Sequence, residues 1–209
     1  MTSGKRIGII GGTFDPPHLG HLIPVEIAAA QFSLDLVWFI PALIPPHKQN
    51  QKRTDPFHRA AMLAVALQRY PRFLFTPVEL LQEKVSYTVD TLRTFRNSIR
   101  SEDQLFFLMG SDSFLEVQTW HAYNELLQLC DLIIINRSAR ESELREHLEQ
   151  LQTQLRLDLE RSIHFASSIP LPISSTEIRS LVEQRKSISH MVPGEVELYI
   201  RKYSLYQRR

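Results

Sequence analysis

The stretch Gly11–His21, with the sequence GGTFDPPHLGH, decides the predicted fold of this chain. An apolar run of strand type, Arg6–Ile10, precedes it, and Leu22–Ala30 follows it with the composition of a helix. A glycine turn between a strand and a helix suits an anion, because the first N–H groups of the helix lack intrahelical acceptors and carry the positive end of its dipole. The sequence therefore predicts an anion-binding turn at this point.

Two histidines lie at the end of the stretch. His18 and His21 are three residues apart, so on a helix they share a face. Pro16 and Pro17 suit the first turn of a helix, where no N–H is needed, and Gly20 leaves room for a phosphate against the backbone. The turn is neither a dinucleotide fingerprint nor a P-loop, because neither G-x-G-x-x-G nor G-K-[ST] is present. A zinc site is disfavoured, since no Glu follows His18 in the H-E-x-x-H manner and the chain has a single cysteine.

The composition is that of one soluble globular domain spanning residues 1–209. Hydrophobic residues make up 43% of the chain and charged residues 22%. With 24 Lys and Arg against 23 Asp and Glu, charge gives no argument for a nucleic-acid or membrane partner. The single cysteine, Cys130, excludes an internal disulfide framework. No apolar leader precedes the first strand, so we expect a cytoplasmic location.

Strands and helices alternate along the chain, which predicts an α/β fold. Further strands are predicted at residues 34–40, 73–75, 104–109, 132–135 and 164–165. Helices are predicted over 57–70, from 86 onward, and over 113–129, 140–160, 173–184 and 193–203. Asp55 is the predicted N-cap of the first of these, and Ser86 and Asp90 are both able to satisfy first-turn groups of the second. This pattern predicts a Rossmann-like, doubly wound parallel sheet with helices on both faces and a small C-terminal helical part at about 174–209.

The polar features converge at one edge of this sheet. Gly11–His21 follows the first strand, Lys48 the second and Gly110–Asp112 the fourth, and Ile173–Thr176 lies near the end of the chain. Because ligands of such folds bind outside the carboxyl ends of the strands, we expect these residues to form one site.

A second helix start suits the same ligand. Ser174 and Glu177 have the spacing of a capping box, which by itself needs no function. Arg179 lies near the same helix end, where it could reach an anion. A cap alone and a ligand site are both compatible with this pattern, and its pairing with the histidine turn favours the ligand site.

Four motifs together identify a family. They are G-G-T-F-D-P-x-H-x-G-H at 11–21, P-P-H-K at 45–48, S-Y-T-x-D-T-L at 86–92 and I-S-S-T-x-I-R at 173–179. With His58-Arg59, Trp120 and the C-terminal Leu205-Tyr206, they resemble the bacterial nicotinate mononucleotide adenylyltransferases, members of the nucleotidylyltransferase superfamily with its H-x-G-H signature. One departure is visible at Gln184-Arg185, where the family often has a glycine.

The resemblance implies transfer of AMP from ATP to nicotinate mononucleotide in NAD biosynthesis, giving deamido-NAD and pyrophosphate. It implies Mg²⁺ on the ATP phosphates, with no protein ligand assigned to the metal. The partners implied are ATP and nicotinate mononucleotide, with neither nucleic acid nor membrane. The oligomeric state is left open, a homo-oligomer included.

The resemblance also implies roles for individual residues. Contacts to reacting phosphates are implied for His18, His21, Lys48 and Arg179. ATP-binding residues are implied at both helix starts and after the fourth strand: Gly11, Gly12, Thr13, Phe14, His18, His21, Gly110, Asp112, Ser174, Ser175, Thr176 and Arg179. Mononucleotide-binding residues are implied at Thr13, Lys48, Ser86, Tyr87, Thr88, Asp112, Trp120 and Arg137. In this scheme the N–H groups of Tyr87 and Thr88 bind the nicotinate carboxylate, and Trp120 stacks on the pyridine ring.

The attacking group is already an anion, so no covalent enzyme intermediate is needed. We expect direct in-line displacement, in which positioning and electrostatics lower the barrier. Alternatives that share the H-x-G-H turn are a phosphopantetheine adenylyltransferase and a cytidylyltransferase. A non-catalytic nucleotide-binding module would keep the fold and lose a phosphate contact. A nucleic-acid-binding protein is disfavoured, because the chain has no basic stripe.

Overall fold

The computed structural model describes residues 4–43, 53–81, 85–136, 141–167, 169 and 171–207. Within these residues the sheet has six strands: β1 (Arg6–Gly12), β2 (Leu36–Pro41), β3 (Phe73–Phe75), β4 (Gln104–Gly110), β5 (Asp131–Ile135) and β6 (Ile163–Ala166). All neighbours pair in parallel, in the order β3-β2-β1-β4-β5-β6. The order reverses between β1 and β4, which places a crevice at their carboxyl ends.

Helices connect the strands on both faces of this sheet. They are α1 (Leu19–Gln31), α2 (Pro56–Leu67), α3 (Thr88–Ser98), α4 (Ser111–Leu115), α5 (Tyr123–Leu129), α6 (Glu141–Leu155), α7 (Ser175–Glu183) and α8 (Gly194–Lys202). Phe39 and Leu108 point to one face, where they pack with buried residues of α1, α2, α7 and α8. Ile9 and Ile134 point to the other, against α3, α4, α5 and α6. The predicted doubly wound, Rossmann-like fold is confirmed.

The leucine-rich helix α6 packs on the sheet of its own domain. Leu144, Leu148 and Leu151 are buried in the second of these cores. The helix ends at Leu155, so Leu159 reaches the same core from beyond the helix end. In the part of the chain that the structure describes, no helix is long and apolar enough to cross a membrane.

The predicted helix over 113–129 is wrong, because the chain breaks in its middle. α4 is followed by a short 3-10 turn at Val117–Thr119, and α5 begins only at Tyr123. Between them Trp120 is extended and Ala122 is left-handed, with φ of 50°. The apolar spacing fits a continuous helix, but the backbone turns so that the Trp120 ring packs edge-on against Phe107, with 6.1 Å between ring centroids.

Two predicted helix starts are corrected. α3 begins at Thr88 after an extended Tyr87 that provides no side-chain cap, so Ser86 precedes the helix rather than capping it. Similarly, Pro16 and Pro17 lie before the first turn of α1, whose N-cap is His18. By contrast Asp55 caps α2 as predicted, since its carboxylate accepts from the Phe57 N–H at 2.8 Å.

The helix end without a glycine has the geometry that glycine usually adopts. Arg185 follows the last residues of α7 with φ of 58°. Its N–H donates to the Val182 carbonyl at 2.9 Å, and the Lys186 N–H donates to the Leu181 carbonyl at 2.8 Å. These two bonds are those of a Schellman motif, so the turn forms with arginine at its left-handed position.

We expect Arg185→Gly to stabilise the protein by about 0.5–1 kcal/mol. A non-glycine residue in the left-handed region costs about 1–2 kcal/mol, and the greater backbone freedom of glycine in the unfolded chain offsets about half of that relief. Thermal unfolding measures the change as a Tm higher by about 1–4 °C. Gln184→Gly is the matched control, because Gln184 has φ of −82° and gains nothing from glycine. Equal losses of Tm in both variants would contradict a strained Arg185.

Candidate active site

A cavity of about 730 Å³ opens at the carboxyl ends of β1 and β4. The described residues that the sequence predicts for the site all line it: Gly11, Gly12, Thr13, Phe14, His18, His21, Ser86, Tyr87, Thr88, Gly110, Asp112, Trp120, Ser174, Ser175, Thr176 and Arg179. Lys48 and Arg137 lie outside the described residues. The cavity therefore brings together segments that are separated by up to about 170 residues in sequence.

The turn after β1 is shaped by packing between its own residues. The left-handed residue is Phe14, with φ of 47°, and none of the described glycines has a positive φ. A Cβ on Gly12 would lie 2.9 Å from the Phe14 ring, whereas a Cβ on Gly11 would meet nothing within 4 Å. Gly12 thus makes room for the Phe14 side chain, and Gly11 leaves open backbone facing the cavity.

The two histidines stack on each other at the start of α1. Their ring centroids lie 3.6 Å apart, and the backbone N–H of His18 donates to Nδ1 of His21 at 3.3 Å. Because Nδ1 of His21 accepts this hydrogen bond, a neutral His21 carries its proton on Nε2. A Cβ on Gly20 would lie 3.0 Å from His18 Nδ1 and 3.2 Å from the Ile173 carbonyl oxygen. Gly20 therefore makes room for the His18 ring, and the room it leaves for a phosphate stays a prediction.

The start of α7 is tied directly to the turn after β1. Ser174 caps α7 by accepting from the Glu177 N–H at 3.1 Å, as predicted. The Ser175 hydroxyl donates to the Pro16 carbonyl at 2.9 Å, and Arg179 Nη1 donates to the Asp15 carbonyl at 2.7 Å. These two bonds hold the N-termini of α1 and α7 against the same cavity, where the first N–H groups of both helices favour an anion.

Asp15 anchors the C-terminus of the chain to this turn. Its Oδ1 accepts from the Tyr206 hydroxyl at 2.6 Å, and its Oδ2 accepts from the Thr54 N–H at 3.2 Å. Burial raises the pKa of Tyr206 far above its usual value, and the adjacent Asp15 carboxylate adds to that effect. Tyr206 therefore remains a protonated donor across the whole working range of pH.

Arg59 is the largest side chain that the described core buries almost completely, with 1% exposure. Its Nη1 donates to the carbonyls of Thr13 and Ala42, both at 2.8 Å. Longer bonds run from Nη2 to the Leu43 carbonyl and from Nε to the Thr54 carbonyl. Burial lowers the pKa of Arg59, an effect that the Asp15 carboxylate opposes. The guanidinium joins three segments at the cavity wall and has its donors occupied by backbone.

The opposite end of the cavity is aromatic and lies at the start of α3. Tyr87 is the N-cap of α3 and Thr88 its first residue, so their N–H groups have no intrahelical acceptor. The Tyr87 ring lies 4.4 Å from the His121 ring, measured between centroids. Trp120 lines the same end and rests on Phe107. Flat aromatic faces beside free N–H donors suit a planar ring that carries an anionic substituent.

Glu79 is a buried carboxyl at this end that the sequence prediction passed over. It is 7% exposed, and the Thr91 hydroxyl donates to its Oε1 at 2.7 Å. Burial raises the pKa of Glu79, and the hydroxyls of Thr91 and Ser86 partly oppose the shift. Its position seven residues before Ser86, in a connector of mixed composition, gives no pattern from which sequence reasoning could find it.

The described residues contain no group of three His, Cys, Asp or Glu side chains placed to hold a metal ion. Asp15 and Asp112 in the cavity wall have different surroundings. The Asp15 carboxylate accepts from the Tyr206 hydroxyl, whereas Asp112, in the first turn of α4, is exposed. Cys130 is buried in the second core, and burial strongly raises the pKa of its thiol. It is a core residue.

Comparison with known proteins gives concordant results. Residues 9–181 match the cytidylyltransferase-like family. A nicotinate-nucleotide adenylyltransferase of Bacillus subtilis strain 168 is 38% identical, covering 97% of this chain and 99% of its own. A probable nicotinate-nucleotide adenylyltransferase of Thermoanaerobacter sp. strain X514 is 38% identical over 100% of this chain and 97% of its own. Among solved structures, the Plasmodium falciparum nicotinic acid mononucleotide adenylyltransferase complexed with NaAD has the same fold, with a TM-score of 0.73, 21% identity and 97% coverage of each chain.

Proposed function

The chain belongs to the nicotinate-nucleotide adenylyltransferase family, and we propose that its cavity transfers the adenylyl group of ATP to nicotinate mononucleotide by direct in-line attack. A phosphate oxygen of the mononucleotide attacks the α-phosphorus of ATP, and the bond from that phosphorus to the bridging oxygen breaks. The products are deamido-NAD and pyrophosphate. One observation carries this assignment: the N-termini of α1 and α7 line one cavity at the switch point of the sheet, and Ser175 and Arg179 bond the start of α7 to the turn that precedes α1.

We place the ATP phosphates between these two helix N-termini. His18 and His21 donate from the start of α1, and Ser174–Thr176 with Arg179 bind the triphosphate tail from the start of α7. Gly11–Phe14 form the floor, where Gly11 leaves the backbone open. Because negative charge moves from the α-phosphoryl group toward pyrophosphate during the reaction, donors fixed around it lower the barrier without changing their own positions.

We place nicotinate mononucleotide at the aromatic end of the cavity. The N–H groups of Tyr87 and Thr88 bind the nicotinate carboxylate, and the Trp120 ring stacks on the pyridine. Asp112, the second residue of α4, accepts from ribose hydroxyls, for which its exposed carboxylate is suited. Lys48 and Arg137 remain predictions from the resemblance as phosphate contacts.

Magnesium would reach the site on the ATP phosphates, where it neutralises charge when bound. Mg²⁺ keeps several waters and often binds through substrate phosphates rather than a cage of protein ligands. The surrounding residues fit such a complex, because histidine, serine and arginine donors leave phosphate oxygens free for the ion. We further propose that residues 1–209 form one nucleotidylyltransferase domain. We also propose that the protein acts in the cytoplasm.

The experiment that tests the function compares acceptors. Pyrophosphate release from ATP and Mg²⁺ is measured in parallel with nicotinate mononucleotide, nicotinamide mononucleotide and phosphopantetheine. We expect kcat/KM for nicotinate mononucleotide to exceed that for the nicotinamide form by about 10- to 100-fold, the value of a charge-assisted hydrogen bond of about 1.5–3 kcal/mol. Equal values for both mononucleotides would refute the assignment of Tyr87 and Thr88, and a preference for phosphopantetheine would refute the function.

Trp120→Ala should raise KM for the mononucleotide by up to about 10-fold, because an aromatic stacking pair contributes about 0.5–1.5 kcal/mol. KM for ATP should change less than twofold, since stacking is lost on one side of the site only. Steady-state kinetics with each substrate varied in turn measure both values. Trp120→Phe is the matched control, because it keeps a ring at this position. Equal increases of KM for both substrates in Trp120→Ala would contradict the placement of the pyridine.

A further inference from the structure

Arg53 is a cation in the cavity wall that neither the motifs nor the resemblance single out. It lies two residues before the N-cap of α2, in a polar connector, and its side chain lines the cavity together with Asp15, His18 and His21. The side chain is partly buried, and its Nε and Nη2 atoms are fully buried. Neither of these two nitrogens has a hydrogen-bond partner among the described residues.

The nearby carboxylates of Asp15 and Asp55 do not accept hydrogen bonds from Nε or Nη2 of Arg53. Both carboxylate oxygens of Asp15 accept from other groups, the Tyr206 hydroxyl and the Thr54 N–H. Asp55 accepts from the N–H of Phe57 at the start of α2. Arg59 lies near enough for the charge of Arg53 to lower its pKa further, after the larger effect of burial. A buried guanidinium edge beside a second guanidinium is costly unless an anion binds to it.

The two nitrogens without partners are the ones that bind an anion best. Nε and the adjacent terminal nitrogen of an arginine present two parallel N–H bonds along one edge of the guanidinium. This fork matches two oxygens of a phosphate, and such bidentate pairs are among the strongest hydrogen bonds in proteins. The same cavity wall carries the histidine pair assigned above to phosphates.

We propose that Arg53 binds a substrate phosphate through Nε and Nη2 and is a further phosphate-binding residue of this enzyme. The inference rests on the proposed function, since both substrates bring phosphate to this cavity. The phosphate belongs either to the mononucleotide or to the triphosphate of ATP. Because Arg59 has its donors on backbone carbonyls, Arg53 is the arginine of this pair whose Nε and Nη2 donors are not already bonded among the described residues.

Binding of each substrate alone to the full chain tests the inference. Dissociation constants for ATP and for nicotinate mononucleotide are measured by calorimetry with wild type, Arg53→Gln, Arg53→Lys and Arg72→Gln. Arg72 is the matched control, because it is exposed and outside the cavity lining. We expect Arg53→Gln to weaken one substrate by about 10- to 100-fold. Arg53→Lys should recover part of that loss, since a lysine keeps the charge without the fork.

The arms of this experiment separate the outcomes. Weaker ATP binding would identify the triphosphate as the ligand of Arg53, and weaker mononucleotide binding would identify the nucleophilic phosphate. Changes of less than twofold for both substrates, in a variant with the thermal stability of wild type, would overturn the inference. Should Arg53→Gln lose stability, the same criterion applies to Arg53→Met, which removes the charge and keeps an apolar side chain of similar length. Failure of the proposed function is a different result: wild type itself would then release no pyrophosphate.

Discussion

Replacing His18 or His21 with alanine is expected to lower kcat by about 100- to 1,000-fold, the loss that follows removal of one fixed donor to a developing negative charge. Both rings lie at the N-terminus of α1, stacked with 3.6 Å between their centroids, and both line the cavity. His21 carries its proton on Nε2 when neutral, because Nδ1 accepts from the backbone N–H of His18. Since the charge on the phosphates changes most in the transition state, the loss should appear in kcat more than in KM.

Pyrophosphate release at saturating concentrations of both substrates measures this loss. His190→Ala is the matched control, because His190 is exposed and does not line the cavity. Thermal unfolding of each variant separates catalysis from folding, since His18 and His21 also contact each other. If kcat stayed within threefold of wild type in both His18→Ala and His21→Ala, the histidines would not be the groups that stabilise the transferred charge.

Arg59→Ala is expected to lower the free energy of unfolding by about 3–5 kcal/mol, the cost of removing one partner from a buried charged network. The side chain is 1% exposed and donates to the backbone carbonyls of Thr13, Ala42 and Thr54, which lie after β1, after β2 and before α2. Without it these carbonyls lose their donor, and the buried Asp15 carboxylate loses a nearby cation.

Urea denaturation measures this change in the free energy of unfolding. Arg72→Ala provides the comparison for loss of an exposed arginine, which should cost less than about 0.5 kcal/mol. Arg59→Lys should fall between wild type and Arg59→Ala, because an ammonium keeps the charge but has three donors in place of the guanidinium fork. A loss below 1 kcal/mol in Arg59→Ala would mean that the cavity wall holds together without this network.

The alternation of apolar strands and amphipathic helices was enough to predict the sheet and its helices on both faces. β3 falls at the predicted residues 73–75, and the other strands differ from prediction by one or two residues at their ends. Apolar periodicity reports which side of a segment is buried, and it does so equally well across a bend. It therefore missed the break at Trp120 and Ala122, where tertiary packing rather than local preference sets the backbone.

The turn after β1, Gly110–Asp112 and the start of α7 were also within reach of sequence, because they follow strands or begin a helix. Ser86–Thr88 and Trp120 were assigned only through the resemblance. Arg53, Glu79 and His121 were not within reach, because no strand end, helix start or motif marks their positions, although all three line the cavity. Their polar types resemble those of ordinary surface residues. Asp15 lies within the motif at 11–21, but no role was predicted for it. Arg59 was noticed only through the resemblance, because helical spacing cannot tell a buried arginine from an exposed one.

The stereochemistry at the α-phosphorus tests most directly whether the adenylyl group is transferred in a single in-line displacement. ATP made chiral at the α-phosphorus is converted with nicotinate mononucleotide, and the configuration of the deamido-NAD product is determined. A single in-line displacement between two fixed helix ends predicts inversion of configuration. Retention would show two successive displacements through an adenylyl-enzyme, and would contradict the account of a site that works by positioning and charge alone.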